Sequence, residues 1–271
     1  MKFGSELFLS LREFPHTVSL AWVLAWRDFQ ARYIGSKAGY FWVLLSPALY
    51  GVAFIFVRGA LTQHGVEIGT NGVNPVVFAF FGICLYQVWF EALTNQLNYL
   101  RKGSAFLKNM KIQPEIFAVS QIILSFLDLG VRIVLIVGVS LIFGVPPTLS
   151  WILSVFFMVL AIFTGSAIGY VLALPSSFYS DISKFISSIS FVLLIGSPVF
   201  YQASSSPDSV AYWIQVCNPF AATLVTARDF MFGGDLNFLI PAIIWSVVLL
   251  ILSVIMMAGY RIVMPLVMER L

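Results

Sequence analysis

The chain has 271 residues, of which 60% are hydrophobic and 10% charged, and its mean hydropathy is +0.95. A soluble domain carries roughly 25% charged residues, so this chain has too little polar surface to meet water on all sides, and its solvent is the bilayer. The formal net charge is only +3, and no nucleic-acid partner is expected.

Taken from the start, residues 1–14 alternate charged and apolar side chains and show no apolar run ahead of a small-residue cleavage site, so they do not read as a cleavable signal peptide. Residues 19–36 carry Trp22, Trp26, Phe29 and Tyr33 at spacings of four, three and four, which share one helical face. Arg27, Asp28 and Arg32 fall around the other side. The pattern predicts an amphipathic helix at the inner interface, either a plain anchor or a docking surface for a cytoplasmic partner.

About 20 apolar residues cross a bilayer as a helix, and lipid offers no partner to a bare backbone, so each span is helical. Six stretches qualify: 39–57, 75–93, 116–143, 151–174, a short serine-rich 185–201, and 237–260. Between the second and third lies a basic segment, 95–115, with Arg101, Lys102, Lys108 and Lys111 and a short helix expected to end near Pro114. This segment either fixes topology or docks a partner. With the N-terminus inside, Lys2, Arg12, Arg27, Arg32, Lys37, Arg101, Lys102, Lys108, Lys111, Lys184, Arg261 and Arg270 are all cytoplasmic. Only Arg58 and Arg228 fall outside, and Arg132 lies within a span. The positive-inside rule therefore places both termini in the cytoplasm.

Residues 210–227 are apolar enough for a seventh span but contain Asn218 and Pro219 near the middle. Proline pushes the residue before it out of helical geometry, and a seventh span would move Arg261 and Arg270 outside. A re-entrant or interfacial helical hairpin on the outer side satisfies both constraints. The expected fold is thus an all-α membrane protein of six transmembrane helices, with an N-terminal interface helix and an outer re-entrant hairpin between spans five and six. Its parts are a cytoplasmic segment 1–38, one transmembrane domain 39–260 and a short cytoplasmic tail 261–271.

Motifs for chemistry are missing: the sequence holds no GxxxxGK[ST] phosphate loop, nucleophile elbow, zinc helix or CxxC. His16 and His64 stand apart from any Cys or carboxylate cluster, so a metal site is not expected, and Cys84 and Cys217 read as unpaired thiols. Within the third span Asp128 and Arg132 stand four apart, acid first, the spacing of a pair on one helical face. That pair either neutralises itself within the bundle or borders a polar pathway. Glu91 lies near the inner end of the second span and reads as reaching the interface. Tyr40, Phe41 and Trp42 open the first span, and Phe78, Phe81, Tyr86, Trp89 and Phe90 populate the second. They suit interfacial belts and packing, or a pathway lined by ring faces on which sugars slide.

The run from Arg27-Asp28 through Arg32-Tyr33-Ile34-Gly35-Ser36, Gly39 and Trp42 to Ser46-Pro47 resembles the opening of ABC-2-type permeases that export polysaccharides. Phe106-Leu107-Lys108 through Pro114-Glu115 is similar to that family's cytoplasmic loop after span two. Ser197-Pro198-Val199-Phe200-Tyr201, Asn218-Pro219-Phe220 and Arg228 resemble its fifth span and outer hairpin. Phe178-Tyr179-Ser180-Asp181-Ile182 resembles the family's Phe-Arg-Asp loop, with serine in place of arginine.

The resemblance, which covers roughly residues 20–260, implies a transmembrane subunit in a bacterial inner membrane. It would work with a second copy of itself and two ATPase subunits, ATP and magnesium being bound by those partners and no cofactor by this chain. The cargo would be a lipid-linked polysaccharide of capsule, O-antigen or teichoic-acid type, in contact with membrane lipids and handed on to an envelope export protein where one exists. The alternative cargo is a small hydrophobic compound or lipid. By the same resemblance Arg27, Asp28, Arg32, Arg101, Lys108, Met110 and Lys111 would couple to the ATPase. Tyr40, Phe41, Trp42, Tyr86, Trp89 and Tyr201 would face the glycan, and Tyr212, Trp213, Asn218, Pro219 and Phe220 would form an outer gate.

Overall fold

A computed structural model describes residues 2–33, 41–63, 72–103 and 114–270. All regular structure in them is helical: α1 (Lys2–Tyr33), α2 (Phe41–Gln63), α3 (Pro75–Leu97), α4 (Pro114–Ile142), α5 (Trp151–Phe178), α6 (Ser180–Ser188), α7 (Ser190–Gly196), α8 (Val210–Cys217), α9 (Pro219–Phe232) and α10 (Leu239–Arg270). A further helical turn occupies 99–103. Among the described residues four helices are long and apolar enough to cross a membrane: Pro75–Leu97, Glu115–Ile142, Trp151–Phe178 and Leu239–Met256.

Helix α5 is the centre of the bundle, with α3, α4, α9 and α10 packed around it. Its Gly165 and Gly169, four apart, form one small-residue stripe, and such stripes let helix backbones approach closely in a membrane. A Cβ on Gly165 would stand 2.7 Å from the carbonyl oxygen of Trp89, and one on Gly169 would collide with that of Leu93. Helix α3 begins at an Asn74 cap whose side chain accepts from Val76 N–H at 2.9 Å, followed by Pro75 at the first position, where a missing N–H costs nothing.

One expectation changes. The fifth apolar stretch is not one helix over 185–201 but two short pieces, α6 and α7, that meet at Ile189 and stop at Ser197. Ser187 and Ser188 donate to carbonyls four residues back, which weakens helices, and the Ser197-Pro198 step favours extended backbone. Helix α10 runs on through Arg270, so the segment after residue 260 continues the same helix. Pro114 opens α4, and the short helix expected ahead of it lies outside the described residues.

Helix α1 is longer than expected and lies alongside the first half of α4. Its buried stripe is Thr17, Ala21, Ala25 and Phe29, and Phe29 joins Leu124 in a cluster that includes Ile123, Leu127 and Val131. Trp22, Trp26 and Phe29 do stack as a ladder, with centroids 6.3 and 5.9 Å apart. Only Phe29 turns inward, however; Trp22 and Trp26 remain 50% and 43% exposed. Alanines rather than tryptophans face α4, because only a small side chain allows so close an approach.

Candidate functional site

Two polar constructions interrupt the apolar bundle. The first joins α1, α3 and α4. Arg32 Nη1 donates to Asp128 Oδ2 at 2.7 Å and stands 3.6 Å from Glu91 Oε2. Arg132 Nη2 donates to Glu91 Oε1 at 2.8 Å, and its Nη1 donates to Gln87 Oε1. Asp128 and Arg132 are 5% and 6% exposed, a depth at which charges persist only when paired. The expected direct pair between them is therefore corrected: each makes its charged hydrogen bond to another helix. Glu91 does not simply reach the interface either, since it joins the set through Arg132. It was undervalued because its partners come from distant parts of the sequence.

The end of the bundle at which α3 finishes carries more basic side chains. Arg101 donates to the carbonyl of Ser176 at the end of α5, and Lys102 Nζ donates to Asn95 Oδ1 at 3.0 Å. Burial, and then the Arg32 charge, lower the Lys102 ammonium below its ordinary range, opposed by Asp28. Arg27 and Asp28 pair with each other at 3.0 Å on the open side of α1, Arg27 remaining exposed. Lys108, Met110 and Lys111 lie outside the described residues, as does Tyr40.

The second construction is a pair of helices, α8 and α9, that meet at Asn218. The Asn218 side chain caps α9 by accepting from Phe220 N–H at 3.0 Å and Ala221 N–H at 3.3 Å, with Pro219 at the first helical position. Its amide also donates to Ser197 Oγ at 2.9 Å. Phe220 packs against Trp89 at 4.8 Å and Tyr86 at 5.5 Å, while Arg228 lies 3.8 Å from the ring centre of Phe78. Trp89 is fourteen residues into α3 from Pro75, about 21 Å along the axis. Helix α9 therefore begins deep beside α3 and returns to its start. Trp151 and Ser154 of α5 donate to the carbonyls of Met231 and Ala227, and Trp245 of α10 to that of Val216. Arg228 Nη1 donates to Pro198 carbonyl at 2.8 Å, which, with Asn218, pins the turn after α7.

The expected glycan-facing and gate residues separate into two groups. Phe41 is exposed and Tyr201 half-buried, its hydroxyl donating to Ile195 carbonyl at 3.0 Å; Trp42 falls within α2. Trp89 and Tyr86 are core residues at 3% and 7% exposure. Trp89 Nε1 donates to Thr164 Oγ1 at 3.3 Å, and the Tyr86 hydroxyl donates to Ser190 carbonyl. These rings are covered by the chain's own helices, because the two glycines of α5 draw that helix against Trp89. Phe220 is buried with them at 1%. Tyr212 is half-buried against Phe238 at 5.6 Å, and Trp213 is exposed, donating to Pro207 carbonyl at 2.9 Å. Sequence reasoning missed Tyr50, which lies exposed on α2, and Gln87 and Gly165; the small-residue spacing was the available signal for Gly165. Neither cysteine is joined: Cys84 is buried and Cys217 exposed.

A family model described as ABC-2 type transporter matches residues 19–232. The chain is 24% identical over 80% of its length to an O-antigen export system permease protein, RfbA, of Klebsiella pneumoniae, covering 81% of that protein. It is 20% identical over 77% of its length to the protein of that name in Myxococcus xanthus, covering 78% of it. A capsule polysaccharide export inner-membrane protein, CtrC, of Neisseria meningitidis serogroup A / serotype 4A is 22% identical over 70% of this chain and 71% of its own length.

Proposed function

We propose a function that proceeds from one premise: this chain belongs to the ABC-2 type transporter family. It is the transmembrane subunit of an exporter that moves a lipid-linked polysaccharide across a bacterial inner membrane, driven by ATP hydrolysed on a separate subunit. The observation that carries the reading is the similarity, over most of the chain, to permeases named for O-antigen and capsule export.

In this reading α2, α3, α4, α5, the α6–α7 pair and α10 make six crossings, with both termini cytoplasmic. The hairpin α8–α9 enters from the outer side and returns. The depth of Phe220 beside Trp89 supports that path, since irregular backbone at such depth must be enclosed by protein, and Asn218 and Ser197 satisfy each other there. Two copies form the pathway, with the exposed aromatics Phe41 and Tyr50 and the half-buried Tyr201 facing the glycan. Two ATPase subunits, which bind ATP and magnesium, dock below. Arg27, Asp28, Arg101 and the loop with Lys108, Met110 and Lys111 form the coupling surface. Tyr212 and Trp213 flank the exit.

A second reading, export of a small hydrophobic compound, draws on a cavity of about 260 Å³ lined by Gln96, Val119, Phe163, Tyr170, Leu250 and others of α3, α4, α5 and α10. Deleting the gene in its host separates the two. Loss of a surface polysaccharide with lipid-linked glycan retained inside, restored by this chain, is the expected result. Unchanged surface glycan together with sensitivity to a hydrophobic compound would replace the first reading by the second.

A further inference from the structure

The charged set between α1, α3 and α4 is neutral in sum but not closed in geometry. One nitrogen, Arg32 Nη1, faces carboxylates on two different helices, Asp128 at 2.7 Å and Glu91 at 3.6 Å. The shorter approach is a hydrogen bond and the longer one is not. On the far side Arg132 Nε is buried without a partner, although a guanidinium offers five donors in a rigid fork. Such an arrangement has a near neighbour, in which α3 slides along α4 and Arg32 passes from Asp128 to Glu91.

Mechanical connection is present as well. Thr17, Ala21, Ala25 and Phe29 seat α1 against α4, and close-packed interfaces transmit displacement rather than absorb it. Arg32 and Glu91, at 31% and 38% exposure, stand at the edge of the buried region, whereas Asp128 at 5% needs a cation wherever Arg32 goes, and Arg132, four residues along the same helix with Nε unpartnered, is the one at hand. Displacing α1 therefore obliges Arg32 to carry Asp128 with it or to exchange onto Glu91.

We propose that this set is a positioning device: Arg32 converts movement of α1 at the inner face into relative movement of α3 and α4 by exchanging between Asp128 and Glu91. Arg32 is then a positioning residue and not a contact for the ATPase. The inference rests on the reading of the chain as a permease driven by a separate ATPase.

The test uses two variants. Arg32→Lys keeps a cation but loses the fork; Arg32→Gln combined with Asp128→Asn removes the pair without leaving a lone buried charge. Each is purified with its ATPase subunit and reconstituted, and polysaccharide exported per ATP hydrolysed is measured. The ATPase is expected to co-purify and hydrolyse ATP as with the unaltered chain, while export per ATP falls roughly tenfold, within the usual span of coupling between sites. A merely structural bridge would reduce the yield of folded complex and leave the ratio unmoved. An unaltered ratio in Arg32→Lys overturns the proposal, whether or not the double variant accumulates. Loss of the ATPase from Arg32→Lys also overturns it, by making Arg32 a docking contact. Failure of the unaltered chain to hold any ATPase would sink the functional reading instead.

Discussion

Single residues in this protein take their roles from what lies across a helix interface. Trp89 reads in the sequence as one aromatic among many, yet it fills the space between α3, Thr164 of α5 and Phe220 of α9. Trp89→Ala is expected to lower stability by about 3–5 kcal/mol, read as reduced thermal stability of the detergent-purified protein. Tyr50→Ala, on an exposed side chain, should leave stability nearly unchanged and slow export. A stable Trp89→Ala protein with slowed export would return that ring to the pathway. Near the C-terminal end of α9, burial raises the Asp229 carboxyl from 3.8 to about 6, with Arg228 opposing and Asp235 adding to the rise. Folding therefore disfavours the ionised form. The cost is absent below about pH 4 and complete above about pH 6, so acidification stabilises. Asp229→Asn should exceed the unaltered protein in stability at pH 7.5, by on the order of 1–2 kcal/mol after solvent screening. It should keep only about half of that advantage at pH 5 and lose it below about pH 4. Parallel melting curves at both pH values would refute the assignment.

Elements were legible where the signal was a long apolar run. Helices α3, α4 and α5 begin within two residues of the stretches read from hydropathy, because the bilayer demands such runs regardless of packing. The break between α8 and α9 was legible too, since Asn218-Pro219 carries its cap in the local sequence. The α6–α7 pair was not: its serines compete locally for backbone carbonyls, and the following segment is held by Gly82, Asn218 and Arg228. The tightest element contact, α3 on α5, rests on Gly165 and Gly169. Gly169→Val should cost about 3 kcal/mol through forced separation of the two backbones. Gly138→Ala on α4 faces open space and should be neutral or mildly stabilising. Thermal melts of the two variants side by side check this, and equal behaviour would count against close packing at Gly169.

For the whole molecule, orientation is the property most open to direct measurement. In a background without Cys84 and Cys217, a cysteine at the exposed Lys184 should react with a membrane-impermeant maleimide only after the inner face is opened. One at the exposed Asp208 should react in intact cells. Reversed labelling would invert the six-crossing arrangement and move the proposed ATPase dock to the wrong side.

The sequence by itself determined the solvent, the main apolar helices and the helix break at Asn218-Pro219. Each of these follows from composition, run length or neighbouring residues. The family, too, was legible, from motifs spread along the chain. Only the tertiary structure decided that Asp128 and Arg132 make their charged hydrogen bonds to Arg32 and Glu91 rather than to each other. It also decided that Trp89 is core, and that α1 presents alanines rather than tryptophans to the bundle. The physical reason is common to all three. Charges, rings and close backbones find their partners across distances of dozens of residues, and no local spacing encodes which distant helix arrives.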